Sequence, residues 1–129
     1  MKIENIKFKA KRLDNGKWCE GYFYEENGNT YIIENRQKES MLNRNITHKV
    51  DPDTVCQFVG LKDCEGKEVW EGDILEGESK CEIIFIKGTF STHSIDGNGR
   101  VHSYPLCYFE KKDGMVDSKV IGNKFDKEK

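Results

Sequence analysis

The chain has 129 residues, 36% of them hydrophobic and 34% charged, with a formal net charge of −2 and a mean hydropathy of −0.78. That length suits one domain with its own core, here the whole of 1–129, while so lean an apolar supply leaves little for a large ligand cavity. No window approaches the ~18–20 consecutive apolar residues of a membrane span, and Met1-Lys2-Ile3-Glu4 puts an acid where a signal peptide needs an apolar run, so a cytoplasmic protein with no membrane partner is expected.

Ile6 to Leu13 alternates apolar and polar, Asp14-Asn15-Gly16 supplies residues tolerant of positive φ, and Lys17 to Glu25 alternates again, which predicts a hairpin. Trp18, Tyr22 and Tyr24 share one face of its second strand, and Cys19, Gly21 and Phe23 the other. A turn at Asn27-Gly28-Asn29 leads into Thr30-Tyr31-Ile32-Ile33, a third strand that completes an antiparallel meander. Residues 34–49 lack strong periodicity and are assigned to a loop, with one short helical turn or edge strand around Met41-Leu42.

Thr54 to Leu61 forms the next strand, broken at Lys62-Asp63-Cys64-Glu65-Gly66. Glu68-Val69-Trp70 resumes it, and Glu71-Gly72-Asp73 turns a sharp corner into Ile74-Leu75. In this stretch Gly60, Asp63, Gly66, Gly72 and Asp73 are the residues expected to shape the turns. Glu76-Gly77-Glu78-Ser79 reverses the chain into Cys81 to Lys87, the most apolar run and therefore a central strand. Gly88 reads as a bulge or bend before Thr89 to Thr92, and Asp96-Gly97-Asn98-Gly99 as a flexible hairpin tip. Val101 to Glu110 is predicted as one strand, with Pro105 marking an edge or bulge, and Val116 to Phe125 as a last short strand. No helix carries both a 3.6-residue apolar stripe and caps. The predicted fold is all-β, a small bent antiparallel barrel or sandwich with SH3-like character and at most short helical turns; the SH3 likeness rests on the Gly72-Asp73-Ile74 corner and carries no function.

Five cysteines (Cys19, Cys56, Cys64, Cys81, Cys107) are odd in number and show no C-x-x-C spacing, so neither a disulfide framework nor a zinc ribbon is expected. A metal site would have to be assembled in space, from Cys81, His93, His102 and Cys107; the prevailing expectation is no metal and no cofactor. Charge is uneven. Residues 1–20 hold six basic side chains against three acidic, whereas residues 51–82 hold ten acids against three lysines, a layout suited to head-to-tail self-association or to a basic partner.

Glu71 and Asp73 flank a glycine and invite comparison with paired catalytic or cation-binding carboxylates, yet no nucleophile, histidine or third acid lies near them, so a turn is the expected role, as it is for Asp63. Asp96 to Arg100 resembles the start of a calcium loop but lacks its closing glutamate. No residue is assigned as catalytic. Lys7, Lys9 and Lys11 fall on one face of the first strand beside Arg12, with Trp18 and Tyr22 placed to offer stacking surface. That is the pattern by which small barrels hold single strands; alternating lysines are equally the ordinary protection of an exposed edge.

Gly60-Leu61-Lys62-Asp63, Gly66-Lys67-Glu68 and Trp70-Glu71-Gly72-Asp73-Ile74 strongly resemble the GLKDxxGKEIYEGDIV signature of the YopX family of phage and prophage proteins. The resemblance extends to Ile6-Lys7-Phe8-Lys9-Ala10 and to Val120-Ile121-Gly122-Asn123, with Trp70 in place of the usual Tyr, Cys64 in the turn and a short charged tail, Lys127-Glu128-Lys129. It implies a small, mostly β protein of mobile genetic elements with no established activity. The function expected is a non-enzymatic accessory module that acts through protein contact, including self-association into a homo-oligomer. The alternative is a nucleic-acid-binding β-barrel.

Overall fold

The structure is a computed structural model and describes residues 3–35, 45–77, 79–112 and 114–126. It is mainly β, with two sheets and no helix of seven residues or more among the described residues. Among the described residues no closed barrel forms, which removes that form of the expectation. The chain resolves into two compact units, Met1–Phe58 and Val59–Lys129.

In the first unit β1 (Phe8–Lys11), β2 (Trp18–Glu26), β3 (Asn29–Asn35) and β4 (Asn45–Val50) run antiparallel in chain order. Asn27 and Gly28 form a two-residue hairpin loop with φ of 54° and 80°, the conformation that matches the twist of the strands on either side. β2 changes partner halfway: Trp18 to Gly21 pair with β1, and Tyr22 to Glu26 with β3. The change occurs where β2 approaches β3 so closely that a Cβ on Gly21 would lie 2.0 Å from the Ile33 carbonyl oxygen, a glycine fixed by space. A bridge between Arg12 and Val50, with the Leu13 N–H donating to the Lys49 oxygen, brings the end of β4 back beside β1 and curls the sheet. The core inside this curl is small: Ala10, Cys19, Ile32 and Val50, flanked by Phe8 and Val55.

β4 corrects the loop expected over 34–49, as does β3, which continues to Asn35. Of the β4 side chains that are described, only Val50 is buried, so the strand shows no apolar alternation and is held by six backbone partners along β3. The turn or edge strand expected around Met41-Leu42 lies outside the described residues. After a 3-10 turn at Pro52–Thr54, capped by the Asp51 side chain, β5 (Cys56–Lys62) begins alongside β1, pairing Gln57 with Phe8.

In the second unit β6 (Glu68–Trp70) pairs with β5, and β7 (Asp73–Glu76), β8 (Lys80–Ile86), β9 (Thr89–Ile95), β10 (Val101–Pro105) and β13 (Lys119–Asn123) make a sheet ordered β10-β9-β8-β7-β13. β8 is its middle strand, as its composition predicts. β11 (Glu110–Lys112) and β12 (Met115–Val116) pair antiparallel outside that sheet, β12 lying parallel to β5 at Lys62. Val69, Leu75, Ile83, Leu106, Val116 and Val120 form the core. Three expectations are corrected here. Gly88 is no interior bulge: with Lys87 it forms a two-residue hairpin loop, φ 52° and 82°, between Ile86 and Thr89. The strand expected over Val101 to Glu110 stops at Pro105, the end of an edge strand, and passes through a 3-10 turn, Leu106–Phe109, before β11. The strand expected over Val116 to Phe125 is two strands, parted at Asp117-Ser118.

Candidate functional site

The turn residues are accounted for first, because their acids would be the natural seat of any chemistry. Gly60, Gly66 and Gly72 all have φ near 90° (90°, 87° and 87°), a conformation that side-chain-bearing residues rarely adopt. Asp63 is fully buried at 0% exposure, and both carboxylate oxygens are engaged: Oδ1 accepts from the N–H groups of Glu65 (2.9 Å) and Lys67 (2.8 Å), Oδ2 from that of Val120 (3.0 Å). Burial is the largest single influence on this carboxyl and pushes its pKa up. The N–H donors of Val120, Lys67 and Glu65, with the Lys67 charge, outweigh it and hold the group below the ordinary range.

Asp73 is likewise buried. Its Oδ2 accepts from the Trp70 N–H at 2.7 Å and its Oδ1 from Asn123 Nδ2 at 2.9 Å. Asn123 also donates to the Glu71 carbonyl (3.2 Å) and accepts from the Phe125 N–H (2.9 Å), while a Cβ on Gly72 would lie 3.2 Å from Nδ2. Two of the segments that carry the family resemblance, Gly60 to Ile74 and Val120 to Asn123, therefore meet in space. Their aspartates staple β13 to the turn. At the other tip, Asp96 Oδ1 accepts from Asn98 N–H (2.8 Å) and Arg100 N–H (2.9 Å), and Oδ2 meets His102 Nε2 (2.9 Å). The His102 bond is the main cause of the lowered Asp96 pKa, and a hairpin tip is formed. Among the described residues no three His, Cys, Asp or Glu gather in a metal-holding group.

The basic and aromatic residues singled out from the sequence lie in the first unit. Lys7, Arg12, Trp18 and Tyr22 line one cleft of about 600 Å³, which Lys17, Glu34 and His48 also enter. Lys9 and Lys11 stand over the Trp18 ring, 4.6 and 5.6 Å from its centroid, and Lys7 stands 4.8 Å over Phe58. Strand register explains the placement: Lys11 pairs with Trp18 and Lys9 with Glu20, so lysines of β1 and the Trp18-Glu20-Tyr22 face of β2 share one side of the sheet. Arg12 is gripped by Asp14 through Nε (3.0 Å) and Nη2 (2.6 Å); the bond raises the pKa of the one and lowers that of the other.

Sequence reasoning missed the pair Glu34–His48, hydrogen-bonded at 2.8 Å on the cleft wall, because it depends on β3 and β4 being paired. Cys19 lines the same cleft, but burial pushes its thiol up to about 11, so it stays protonated at neutral pH, donating to the Ala10 oxygen at 3.6 Å. The cleft thus offers three cations beside three glutamates, Glu4, Glu20 and Glu34, with a half-buried indole, an exposed phenol and no activated nucleophile among the described residues.

No curated protein matches the chain. The family described as YopX protein matches residues 7–128. That span takes in the staple and nearly all of the cleft. The chain belongs to the YopX family.

Proposed function

We propose that this chain is a non-enzymatic protein-interaction module that associates with itself, an accessory protein of a phage or prophage working in the host cytoplasm. One observation carries the proposal: the outer hairpin of the second unit leaves Ile95, Val101 and Tyr104 at 64%, 58% and 47% exposure, apolar surface placed at the rim of a sheet. The non-enzymatic part is supported by the buried acids, Asp63 and Asp73, whose oxygens are occupied by backbone and amide donors.

Sedimentation velocity across a concentration and salt series tests it, together with a pull-down from host lysate. A reversible oligomer or one specific partner is expected; a monomer without a partner at every concentration contradicts it. If complementary charge drives the association, the oligomer weakens as salt rises; if the apolar rim drives it, salt has little effect.

Nucleic-acid binding is the second reading, supported by the cleft that gathers Lys7, Arg12, Lys17, Trp18 and Tyr22. Fluorescence anisotropy with labelled single- and double-stranded DNA and RNA tests it, since phosphate-led binding must fall with salt. An absence of binding at low salt ends it.

A further inference from the structure

The five-stranded sheet of the second unit treats its two edges differently. On the β13 side the Val120 N–H is taken by Asp63 (3.0 Å) and the Asn123 N–H by Asp126 (2.9 Å), and the pairing with β7 shifts register between Val120 and Gly122. Lys119 adds a charge there. These are the devices by which proteins stop an edge from recruiting another strand.

The β10 edge is open as far as Pro105. Its residues, Val101-His102-Ser103-Tyr104-Pro105, include no lysine, arginine, aspartate or glutamate, and they pair with β9 in unbroken register from Val101↔Ile95 to Pro105↔Ser91. Tyr104 meets Thr92 with both its N–H and its carbonyl, at 3.3 and 3.4 Å from Thr92 Oγ1, and the Arg100 carbonyl accepts from Asp96 N–H at 2.9 Å. Alternation along an antiparallel strand then turns the backbone groups of Val101 and Ser103 away from β9, with no partner among the described residues.

We propose that the β10 edge pairs antiparallel with β10 of a second copy of this chain, about a two-fold axis at His102. This rests on the self-association proposed above and names its surface. In that register Val101 exchanges both hydrogen bonds with Ser103 of the other copy, and Ser103 with its Val101. All four outward groups of each copy are satisfied. A second copy brings the same charge-free, unbroken edge, so the same two residues on each chain supply every donor and acceptor of the pairing. Pro105 sits just beyond, where its missing N–H limits the ladder to these residues. Val101 and Ser103 are exposed, so substitutions there leave the fold of each chain intact.

The test is sedimentation equilibrium of the full chain and of three variants. Val101→Lys/Ser103→Lys and Val101→Glu/Ser103→Glu each place like charges directly across the two-fold and are expected to be monomeric alone and dimeric when mixed. Ser103→Pro removes one outward N–H per copy, two of four bonds, and is expected to weaken the dimer about tenfold or more. A wild-type oligomer that persists unchanged in all three variants overturns the β10 assignment while leaving self-association standing. A wild type that stays monomeric at every concentration overturns both.

Discussion

Asp63→Asn is the sharpest probe of the staple, because it changes one atom of a buried side chain. The wild-type carboxylate accepts three N–H bonds, two from its own turn and one from Val120, which is 57 residues away in sequence. Glu65 and Lys67 are exposed, so water can replace the carboxylate at their N–H groups, whereas Val120 is buried and its N–H has no such recourse. An asparagine can present its carbonyl to one side only, and its amide then faces another donor. A single buried donor left unsatisfied costs about 1–3 kcal/mol, and that is the loss expected for Asp63→Asn. Asp63→Ala also loses the turn bonds and is expected to cost about 2–4 kcal/mol, a sizeable part of the stability of a small domain.

Urea unfolding followed by the fluorescence of Trp70, itself buried beside the staple, reads the effect. Asp53→Asn, at an exposed residue, serves as the control. The folded pKa of Asp63 is depressed, so its contribution is fully present above its unfolded pKa of about 3.9 and drains away as pH falls through the lower folded value. Asp63→Asn should therefore flatten the acid side of the stability curve. If it unfolds within about 0.5 kcal/mol of wild type, in the range of an ordinary surface change, and keeps the same acid slope, the staple is not what holds β13.

Gly21→Ala, which sets a methyl group 2.0 Å from the Ile33 oxygen, should destabilise the first unit by about 3 kcal/mol or more, read from the Trp18 signal in the same titration; an unchanged midpoint would refute the close approach. Asn123→Ala removes the bonds to Asp73, to the Glu71 carbonyl and from Phe125, and should cost about 2–4 kcal/mol in urea unfolding; a loss under about 0.5 kcal/mol would show the corner holds without it. In thiol labelling at pH 7.5, exposed Cys64 and Cys107 should react well before Cys19, because the Cys19 thiol is buried and held near 11; mass mapping that finds Cys19 among the first would contradict that environment.

The first hairpins were legible because their turns announce themselves: Gly16 in the first and Asn27-Gly28 in the second take positive φ between alternating runs. β4 was hidden because its stability comes from backbone pairing with β3, while its exposed Ile46 and Thr47 break the apolar rhythm that a reader follows. Gly88 misled because half of its turn is carried by Lys87, and a lysine at φ 52° leaves no mark in a sequence. The turn role of Asp63 and Asp73 could be read from neighbouring residues. Their hold on Val120 and Asn123 could not, being a contact across 57 and 50 residues. In the cleft, period-two alternation placed the lysines with Trp18 and Tyr22, whereas Glu34 and His48 fell in a segment read as loop.

Amide hydrogen exchange at Val101 and Ser103, followed as a function of protein concentration, bears most directly on how this chain acts. Pairing of β10 with a second copy requires both amides to exchange fast in dilute solution and to become protected as concentration rises, in step with each other. Rapid exchange of both at every concentration, in a sample that sedimentation shows to be oligomeric, would place the contact elsewhere.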